Sequence, residues 1–305
     1  MTTRHRFADL ATVSFMTLVW GFSWPVTIVG LRYCDPMLLA SLRCVLGGSL
    51  IYLWMLRKPD RERYDRKGLQ TALVVGSFWV GIPTALSVWA LQYIGGGLGA
   101  ILQSTVPFFI AFFAHFYLGQ NQLNVGKIAG MVLGFIGIIV LFSDDPTNAE
   151  NAWALAGGLA VVLSAVSIGF AQSYSLKHFK GKDNTSFNMY LQVFGGLVIL
   201  PFAFFRGLPR FETSGELLGV LFFLSLFATA IPFTMYFELF RRVDFVVLSM
   251  MAYVIPVVAV VAGIVWLGER MSLIDVAGSV LVIVGVLLAT QFDLLRSKLF
   301  PRSIL

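Results

Sequence analysis

A single arginine stands out within the apolar stretches of this sequence. Arg43 lies near the middle of residues 36–56 and is the only lysine or arginine placed well away from the ends of a long apolar segment. A charge in a bilayer costs roughly 2.5 to 3.5 kcal/mol on insertion scales unless it is paired or reaches water. We therefore expect Arg43 to face inwards. Its guanidinium could hold a carboxylate through paired donors, or it could bond carbonyl groups of neighbouring interrupted helices.

Aromatic, hydroxyl and amide side chains lie at a similar depth in other apolar segments. Rings combined with a few polar groups suit a zwitterion with an apolar side chain, or an amphipathic cation held against ring faces. Contact with lipid or packing between helices is the alternative for each residue. With Arg43, the side chains predicted to bind a substrate are Trp20, Ser23, Trp24, Phe78, Trp79, Gln103, Ser104, Thr229, Phe233, Tyr236 and Tyr253.

Prolines inside apolar segments are the second feature with chemical consequences. Each removes a helix hydrogen bond and frees a carbonyl group about one turn earlier. In lipid, such a group is tolerated only against protein or a water-filled cavity. Pro83, Pro107, Pro232 and Pro256 are therefore predicted to be helix breaks or hinges around a pathway formed by helices three, four, eight and nine, assisted by one and six. Simple packing kinks are the alternative.

Two titratable residues are candidates for proton coupling. His115 could relay a proton, although a lone histidine near a helix end more often makes a single interfacial hydrogen bond. Glu238 precedes Arg241 and Arg242 by three and four residues, a spacing that also suits a local ion pair on one helix face. No carboxylate falls at the centre of a segment, so proton-coupled transport and facilitated exchange both stay open.

No constellation indicates catalysis, a metal or a cofactor. The three histidines are scattered over separate segments, and an enzyme would need clustered acids, bases and nucleophiles. The two cysteines, Cys34 and Cys44, are too few for a disulfide framework or metal site and are predicted to be small apolar fillers. Asp275, three residues after Ser272, is predicted to cap the start of a helix.

The elements that position these residues follow from composition. Apolar residues make up 58% of the 305, and charged residues only 12%, about half the share in soluble domains. Because a bilayer core accepts helices of roughly 20 residues, and the runs are continuously apolar rather than alternating, we predict an all-α membrane protein. Its ten predicted segments are 9–30, 36–56, 68–91, 97–118, 125–142, 152–173, 185–205, 216–238, 245–267 and 273–291.

The basic residues predict the orientation of the chain. With the amino terminus inside, 17 of the 22 lysines and arginines fall on the cytoplasmic side, four fall outside, and Arg43 lies in a span. Basic loops favour the cytoplasmic side, so both termini are predicted to lie in the cytoplasm of a cell-membrane protein. The acidic linker 143–151 is then external. The excess of basic residues is explained by the orientation of the chain in the membrane and by attraction to anionic lipid, rather than by binding of nucleic acid.

An internal repeat is visible when the chain is compared with itself at offsets of 148 and 149. The matches are Gly47-Gly48 with Gly195-Gly196, Ile82-Pro83 with Ile231-Pro232, Pro107 with Pro256, and Leu118-Gly119 with Leu267-Gly268. They predict two units, 9–142 and 152–291, followed by a cytoplasmic tail at 292–305. Five helices per unit is an odd number, so the second unit must cross the membrane in the opposite sense. Inverted repeats of this kind are a transporter architecture.

Several motifs make the whole chain resemble EamA-type members of the drug/metabolite transporter superfamily. They are Trp20-Gly21-Phe22-Ser23, Leu42-Arg43, Pro107 with Leu118-Gly119-Gln120, and Pro256 with Leu267-Gly268-Glu269-Arg270. Gln120 and Asn121 stand where the first repeat usually has Glu-Arg. The resemblance implies ten helices, an inverted repeat, and efflux of amino acids, related metabolites or amphipathic drugs.

The leading expectation is thus a cytoplasmic-membrane carrier that exports small metabolites, foremost amino acids, by alternating access. Efflux of amphipathic drugs or lipophilic cations is the alternative within transport, and an intramembrane enzyme is the alternative outside it. The expected partners are a small-molecule substrate and the lipid bilayer. The glycines Gly126, Gly130 and Gly134 allow close helix approach, either within the bundle or in a homodimer, so monomer and homodimer both stay open.

Overall fold

The computed structural model describes residues 3–57, 64–120, 123–143, 149–179, 183–205, 207–239 and 251–299. Over these ranges the chain folds into ten helical stretches, and its one bridge of β type is the isolated antiparallel pair Cys34 and Phe211. The stretches are α1 (Thr3–Leu31), α2 (Pro36–Met55), α3 (Arg66–Ala90), α4 (Gly96–Phe116), α5 (Val125–Leu141), α6 (Ala149–His178), α7 (Asn184–Ala203), α8 (215–239), α9 (Met251–Leu267) and α10 (Leu273–Leu299).

Most of these helices are long and apolar enough to cross a bilayer. Eight meet that condition, and α5 and α9 are shorter apolar helices. The described part of α9 begins at Met251 because its predicted start, residue 245, lies outside the described residues. The prediction of an all-helical multi-pass membrane protein is confirmed, whereas ten crossings and the side of the termini stay predictions.

Side-chain caps define where several helices begin. Asp35 accepts a hydrogen bond from the backbone N–H of Met37 at the start of α2, and Ser214 accepts one from Leu217 at the start of α8. Ser272 and Asp275 each bond the other's backbone N–H at 3.1 and 2.7 Å, so the predicted capping of α10 is confirmed. Such caps satisfy amide groups that a helix leaves without an internal partner.

In the helix packing, most of the extensive contacts recur five helices later. The helix α3 packs on α6 and α7, and correspondingly α8 packs on α1 and α2. The pair α4 and α6 corresponds to α9 and α1. Two further pairs are α2 with α7 and α5 with α10. Each is its own counterpart, because its two helices are five places apart and occupy equivalent positions in the two halves. In all of these pairs, a helix of one half of the chain packs on a helix of the other half.

Glycines permit the closest of these approaches. A Cβ atom at Gly130 would lie 2.5 Å from the backbone of Gly285 and of Ala289 in α10, and one at Gly134 would lie 2.5 Å from the ring of Phe108. Gly126 similarly faces the ring of Phe292. The glycines of α5 thus serve packing within the bundle.

Wide turns interrupt α3 and α8 at matching places. Residues Gly76–Gly81 and Phe223–Ala230 form π-helical turns, and each is followed directly by the Ile-Pro pair Ile82-Pro83 or Ile231-Pro232. Proline lacks an N–H, and its ring clashes with the carbonyl group four residues earlier. A wider turn before the proline relieves that clash, so the repeated dipeptide accounts for the repeated distortion.

Both cysteines are free and buried, which confirms their assignment as small apolar fillers. Cys34 lies in the short connection between α1 and α2. Burial raises the pKa of its thiol to about 12, so the reactive thiolate is scarce at neutral pH.

The α5–α10 contact can be tested with matched alanine substitutions. We expect Gly130→Ala to lower the free energy of unfolding by about 1–3 kcal/mol, because the new methyl group overlaps backbone that cannot yield easily. Gly219→Ala in α8 is the control, because nothing lies within 4 Å of its Cβ position, and alanine favours a helix by up to about 1 kcal/mol. Unfolding of the purified protein in detergent measures both. Equal stability of the two variants would contradict the close contact.

Candidate functional site

A central cavity of about 630 Å³ lies between the two halves of the chain. Its walls come mainly from α1, α3, α4, α6, α8 and α9, which are the six helices predicted to surround a pathway. The rest of the lining comes from Arg43 of α2, Gln120 of the α4–α5 connection, Lys127 of α5, and Ala289 and Thr290 of α10. A cavity of this size can hold a small organic molecule.

Nine of the twelve side chains predicted to bind a substrate belong to residues that line this cavity. They are Trp20, Ser23, Trp24, Arg43, Trp79, Gln103, Ser104, Phe233 and Tyr236. Of the four predicted hinge prolines, Pro83, Pro107 and Pro256 line it as well, whereas Pro232 is buried outside the lining.

Three predicted residues lie elsewhere. Phe78 contacts the ring of Phe170 on α6, with ring centroids 5.3 Å apart, and is more than one-third exposed on the bundle surface. Thr229 is buried behind the cavity wall. The hydroxyl group of Tyr253 bonds that of Thr290 on α10. The structure therefore places Phe78, Thr229 and Tyr253 in helix packing rather than in the cavity lining.

One side of the cavity is aromatic. The ring centroid of Trp20 lies 5.4 Å from that of Phe233 and 5.9 Å from that of Tyr236. The indole Nε1 of Trp20 donates a 3.1 Å hydrogen bond to the carbonyl oxygen of Ala228. Ala228 precedes Pro232 by four residues, so this carbonyl cannot receive the usual helix bond. The proline therefore creates the acceptor that fixes the indole.

A similar cross-helix bond supports α3. Ser167 of α6 donates from its Oγ to the carbonyl oxygen of Phe78 at 2.6 Å. Phe78 lies in the π-helical turn, five residues before Pro83, so the N–H that could close the wide turn on this carbonyl is missing. In both halves, a side chain from a neighbouring helix satisfies a carbonyl group left open before an Ile-Pro pair.

The helix α4 is interrupted next to the cavity. Its segments Gly96–Gln103 and Val106–Phe116 are joined by Ser104 and Thr105, whose hydroxyl groups bond the carbonyl oxygens of Ile101 and Leu102 at 2.6 and 2.7 Å. Pro107 is the second residue of the following segment. The predicted break at Pro107 is thus present in the backbone.

The corresponding proline of α9 behaves differently. Pro256 lies inside the continuous segment Met251–Ala262, so a break expected at this position is absent. Ala252, four residues earlier, lines the cavity, where water can satisfy a freed carbonyl group. The distortion of α9 comes later, in the π-helical turn Gly263–Leu267.

A buried polar cluster surrounds Gln103. Its Oε1 accepts hydrogen bonds from Ser164 of α6 at 2.6 Å and from Ser87 of α3 at 3.3 Å. The amide Nε2 is buried without a hydrogen-bond partner. Because the serines come from other helices, they fix the orientation of the amide beside the cavity.

Sequence reasoning missed several polar residues of the lining. Thr84, Ser87 and Val88 of α3 line the cavity together with Leu91, the residue that follows α3. Ser87, Val88 and Leu91 come three, four and seven residues after Thr84. That helical periodicity after Pro83 was a usable signal. Gln172 of α6 also lines the cavity, and an amide within an apolar segment was the same signal that identified Gln103.

The side chain of Arg43 is partly buried and has few hydrogen-bond partners. Its Nη2 donates to Thr229 Oγ1 at 3.5 Å, and its Nε is buried without a hydrogen-bond partner. Of its two predicted roles, bonding to carbonyl groups of interrupted helices does not occur among the described residues. Its Nη2 contact lies at the long limit for a hydrogen bond.

The two candidates for proton coupling lie outside the cavity lining. His115 contacts the carbonyl oxygen of Gln120 through Nδ1 at 3.0 Å, which is the single interfacial bond considered from the sequence. Glu238 is exposed, and its proposed partners Arg241 and Arg242 lie outside the described residues. Within the described ranges, no group of three or more His, Cys, Asp or Glu residues could hold a metal ion.

Comparison with known proteins gives a match over most of the chain. The model of the EamA-like transporter family matches twice, over residues 10–143 and 154–291. The chain is 27% identical over 288 residues to the uncharacterized transporter YoaV of Bacillus subtilis, covering 93% of this chain and 96% of YoaV. It is 25% identical to the protein PecM of Dickeya dadantii, covering 93% of both chains.

A further relative and a solved structure agree with these matches. The uncharacterized inner membrane transporter YedA of Escherichia coli K12 is 25% identical, with 93% of this chain and 90% of YedA covered. A solved crystal structure superposes with a TM-score of 0.66 at 18% identity, covering 96% of this chain and 99% of the other. That likeness concerns the fold alone.

The bond between Trp20 and the freed carbonyl group can be tested by a double-mutant cycle. We expect Trp20→Phe to lower the free energy of unfolding by about 1–3 kcal/mol, because a buried carbonyl loses its donor. In a Pro232→Ala background the cost should shrink, since alanine supplies an N–H four residues after Ala228. Unfolding in detergent measures the cycle, with Trp24→Phe as a control for loss of an indole. Strict additivity of the two changes would contradict the coupling.

Proposed function

Because the chain belongs to the EamA-like transporter family, we propose that it is a secondary carrier of the cell membrane that exports small metabolites, with amino acids and related compounds as its leading substrates. It is a multi-pass membrane transporter by family and fold. The observation that supports this proposal is the central cavity between the two halves, lined by aromatic rings, hydroxyl groups, amides and the guanidinium of Arg43.

We further propose that the halves are inverted repeats. The family model matches each half separately, most of the extensive helix contacts recur five helices later, and the π-helical turns precede the same Ile-Pro pair in α3 and α8. With both termini in the cytoplasm, as the basic loops favour, the substrate site lies near the midplane where the halves meet.

The two ends of the cavity differ in a way that suits alternating access. At one end, the lining reaches Lys127 at the start of α5 and the exposed Gln120. At the other end, the carboxylate of Glu269, from the α9–α10 connection, accepts hydrogen bonds from the backbone N–H groups of Gly96 at 2.8 Å and Gly97 at 3.3 Å. We propose that, in this orientation, the cavity opens towards the cytoplasm and is closed towards the outside.

Transport by the purified protein in liposomes tests the function. Vesicles loaded with a panel of amino acids and one quaternary cation should release at least one amino acid faster than protein-free vesicles, and the cation should stay inside. Correct insertion is verified by protease accessibility of the loops. If the inserted protein moves no member of the panel, the export proposal fails, and release of the cation alone would favour drug efflux. Repeating the assay across a pH gradient separates proton coupling from facilitated exchange.

The closing contact of Glu269 gives a second prediction. Glu269→Gln keeps the shape but replaces a charged acceptor with a weaker one, so opening at this end should become easier by about 1 kcal/mol, or about fivefold. The measurement is the rate at which an impermeant maleimide labels Thr27→Cys, because Thr27 lines the cavity and is buried. Cys34 and Cys44 are replaced by serine in all variants.

Glu212→Gln provides the matched control for this experiment. Glu212 is exposed in the connection between α7 and α8, and its carboxylate oxygen lies 4.0 Å from Nε of the exposed Arg210. The same chemical change there should leave the labelling rate unchanged. Equal labelling of the two glutamine variants would show that Glu269 does not hold this end closed.

A further inference from the structure

The charges around the central cavity are of one sign. Arg43 and Lys127 line it, and no aspartate or glutamate is found among its lining residues in the described part of the chain. Glu269 contributes its carboxylate to the amide groups of α4, and Glu238 is exposed outside the lining. A permanent cation would therefore meet like charge in the cavity, whereas an anion would meet opposite charge.

The described residues do not satisfy all the hydrogen-bond donors of Arg43. The Nε atom is buried and has no hydrogen-bond partner, and the contact of Nη2 with Thr229 is long. A guanidinium presents parallel donors that match the two oxygens of a carboxylate. Buried donors normally have acceptors. Because Arg43 lines the cavity, a carboxylate bound beside it would supply acceptors that the described residues do not.

The aromatic side of the cavity adjoins this group through α8. Thr229, which contacts Arg43, follows Ala228, whose carbonyl oxygen fixes the indole of Trp20. Phe233, one turn after Thr229, packs against the same indole. The guanidinium and the aromatic cluster therefore converge on one stretch of α8, so a bound carboxylate would have ring faces beside its carbon skeleton.

We propose that Arg43 binds the carboxylate of the transported substrate and that the aromatic cluster holds an apolar group next to it. The substrate class is then a small organic acid or zwitterion with an apolar or aromatic substituent, and neutral amides of the same shape are rejected. This inference rests on the proposed transport function for its biological meaning, while the binding itself can be measured without transport.

Binding of phenylacetate and of its neutral amide, phenylacetamide, tests the proposal. The purified protein in detergent is titrated with each compound, and intrinsic tryptophan fluorescence reports occupancy because Trp20, Trp24 and Trp79 line the cavity. We expect the wild-type protein to prefer the acid by about 10- to 100-fold, the range expected for hydrogen bonds between charged groups. Equal affinity for the two compounds, or no binding of the acid, would overturn the proposal.

Variants at Arg43 separate recognition from folding. Arg43→Gln should abolish the preference for the acid while leaving amide binding unchanged, and Arg43→Lys should restore part of the preference, because it keeps the charge but not the paired donors. Lys127→Gln removes the other lining charge and should retain most of the preference. A thermal unfolding curve for each variant verifies that it is folded. Equal loss of acid and amide binding in both Arg43 variants would assign the arginine a structural role.

Transport of labelled phenylacetate in liposomes distinguishes the two proposals. Preferential binding that depends on Arg43 without any transport would count against a carrier function but would uphold the assignment of Arg43. Transport that is unaffected by Arg43→Gln would uphold the carrier function and overturn the role of Arg43.

Discussion

The need to satisfy backbone groups away from water constrains this structure more than any other single factor. Two Ile-Pro pairs each remove an N–H from the interior of a long helix, and the local backbone widens into a π-helical turn. The open carbonyl groups of Phe78 and Ala228 then accept bonds from Ser167 and Trp20 on neighbouring helices. Since these donors come from α6 and α1, the distortion of one helix fixes the position of another. These bonds hold together helices that form the cavity wall.

The same constraint explains which parts of the site were predictable from sequence. Continuous apolar runs and interior prolines were sufficient for the helices and for the part of the bundle where a cavity forms, and isolated polar residues such as Arg43 and Gln103 do line it. It was harder to predict which side chains of a helix point into the cavity and which point away from it. Trp79 lines the cavity, whereas its neighbour Phe78 packs outwards against Phe170. A π-helical turn shifts the helical register. The regular α-helical periodicity therefore does not predict which face a residue occupies on the far side of the turn.

Residues held by distant partners were beyond the reach of a sequence pattern. Tyr253 bonds Thr290 on α10, and Glu269 bonds amide groups of α4 about 170 positions earlier in the chain. Nothing in the local sequence of either residue encodes its partner, because the partner is determined by how whole helices pack. Glu269 matched a family motif, but its role as an acceptor for the start of α4 became visible only in three dimensions.

Departures from symmetry matter most if the halves are inverted repeats. A carrier with two identical inverted halves would have equal energies when facing either side, so any preference must arise where the halves differ. Glu269 is one such difference, because the corresponding residue of the first half is the uncharged Gln120. A carboxylate accepts hydrogen bonds more strongly than an amide does. If the chain works by alternating access, the bonds from Glu269 to the N–H groups of Gly96 and Gly97 would therefore hold that end more firmly than an amide in its place would.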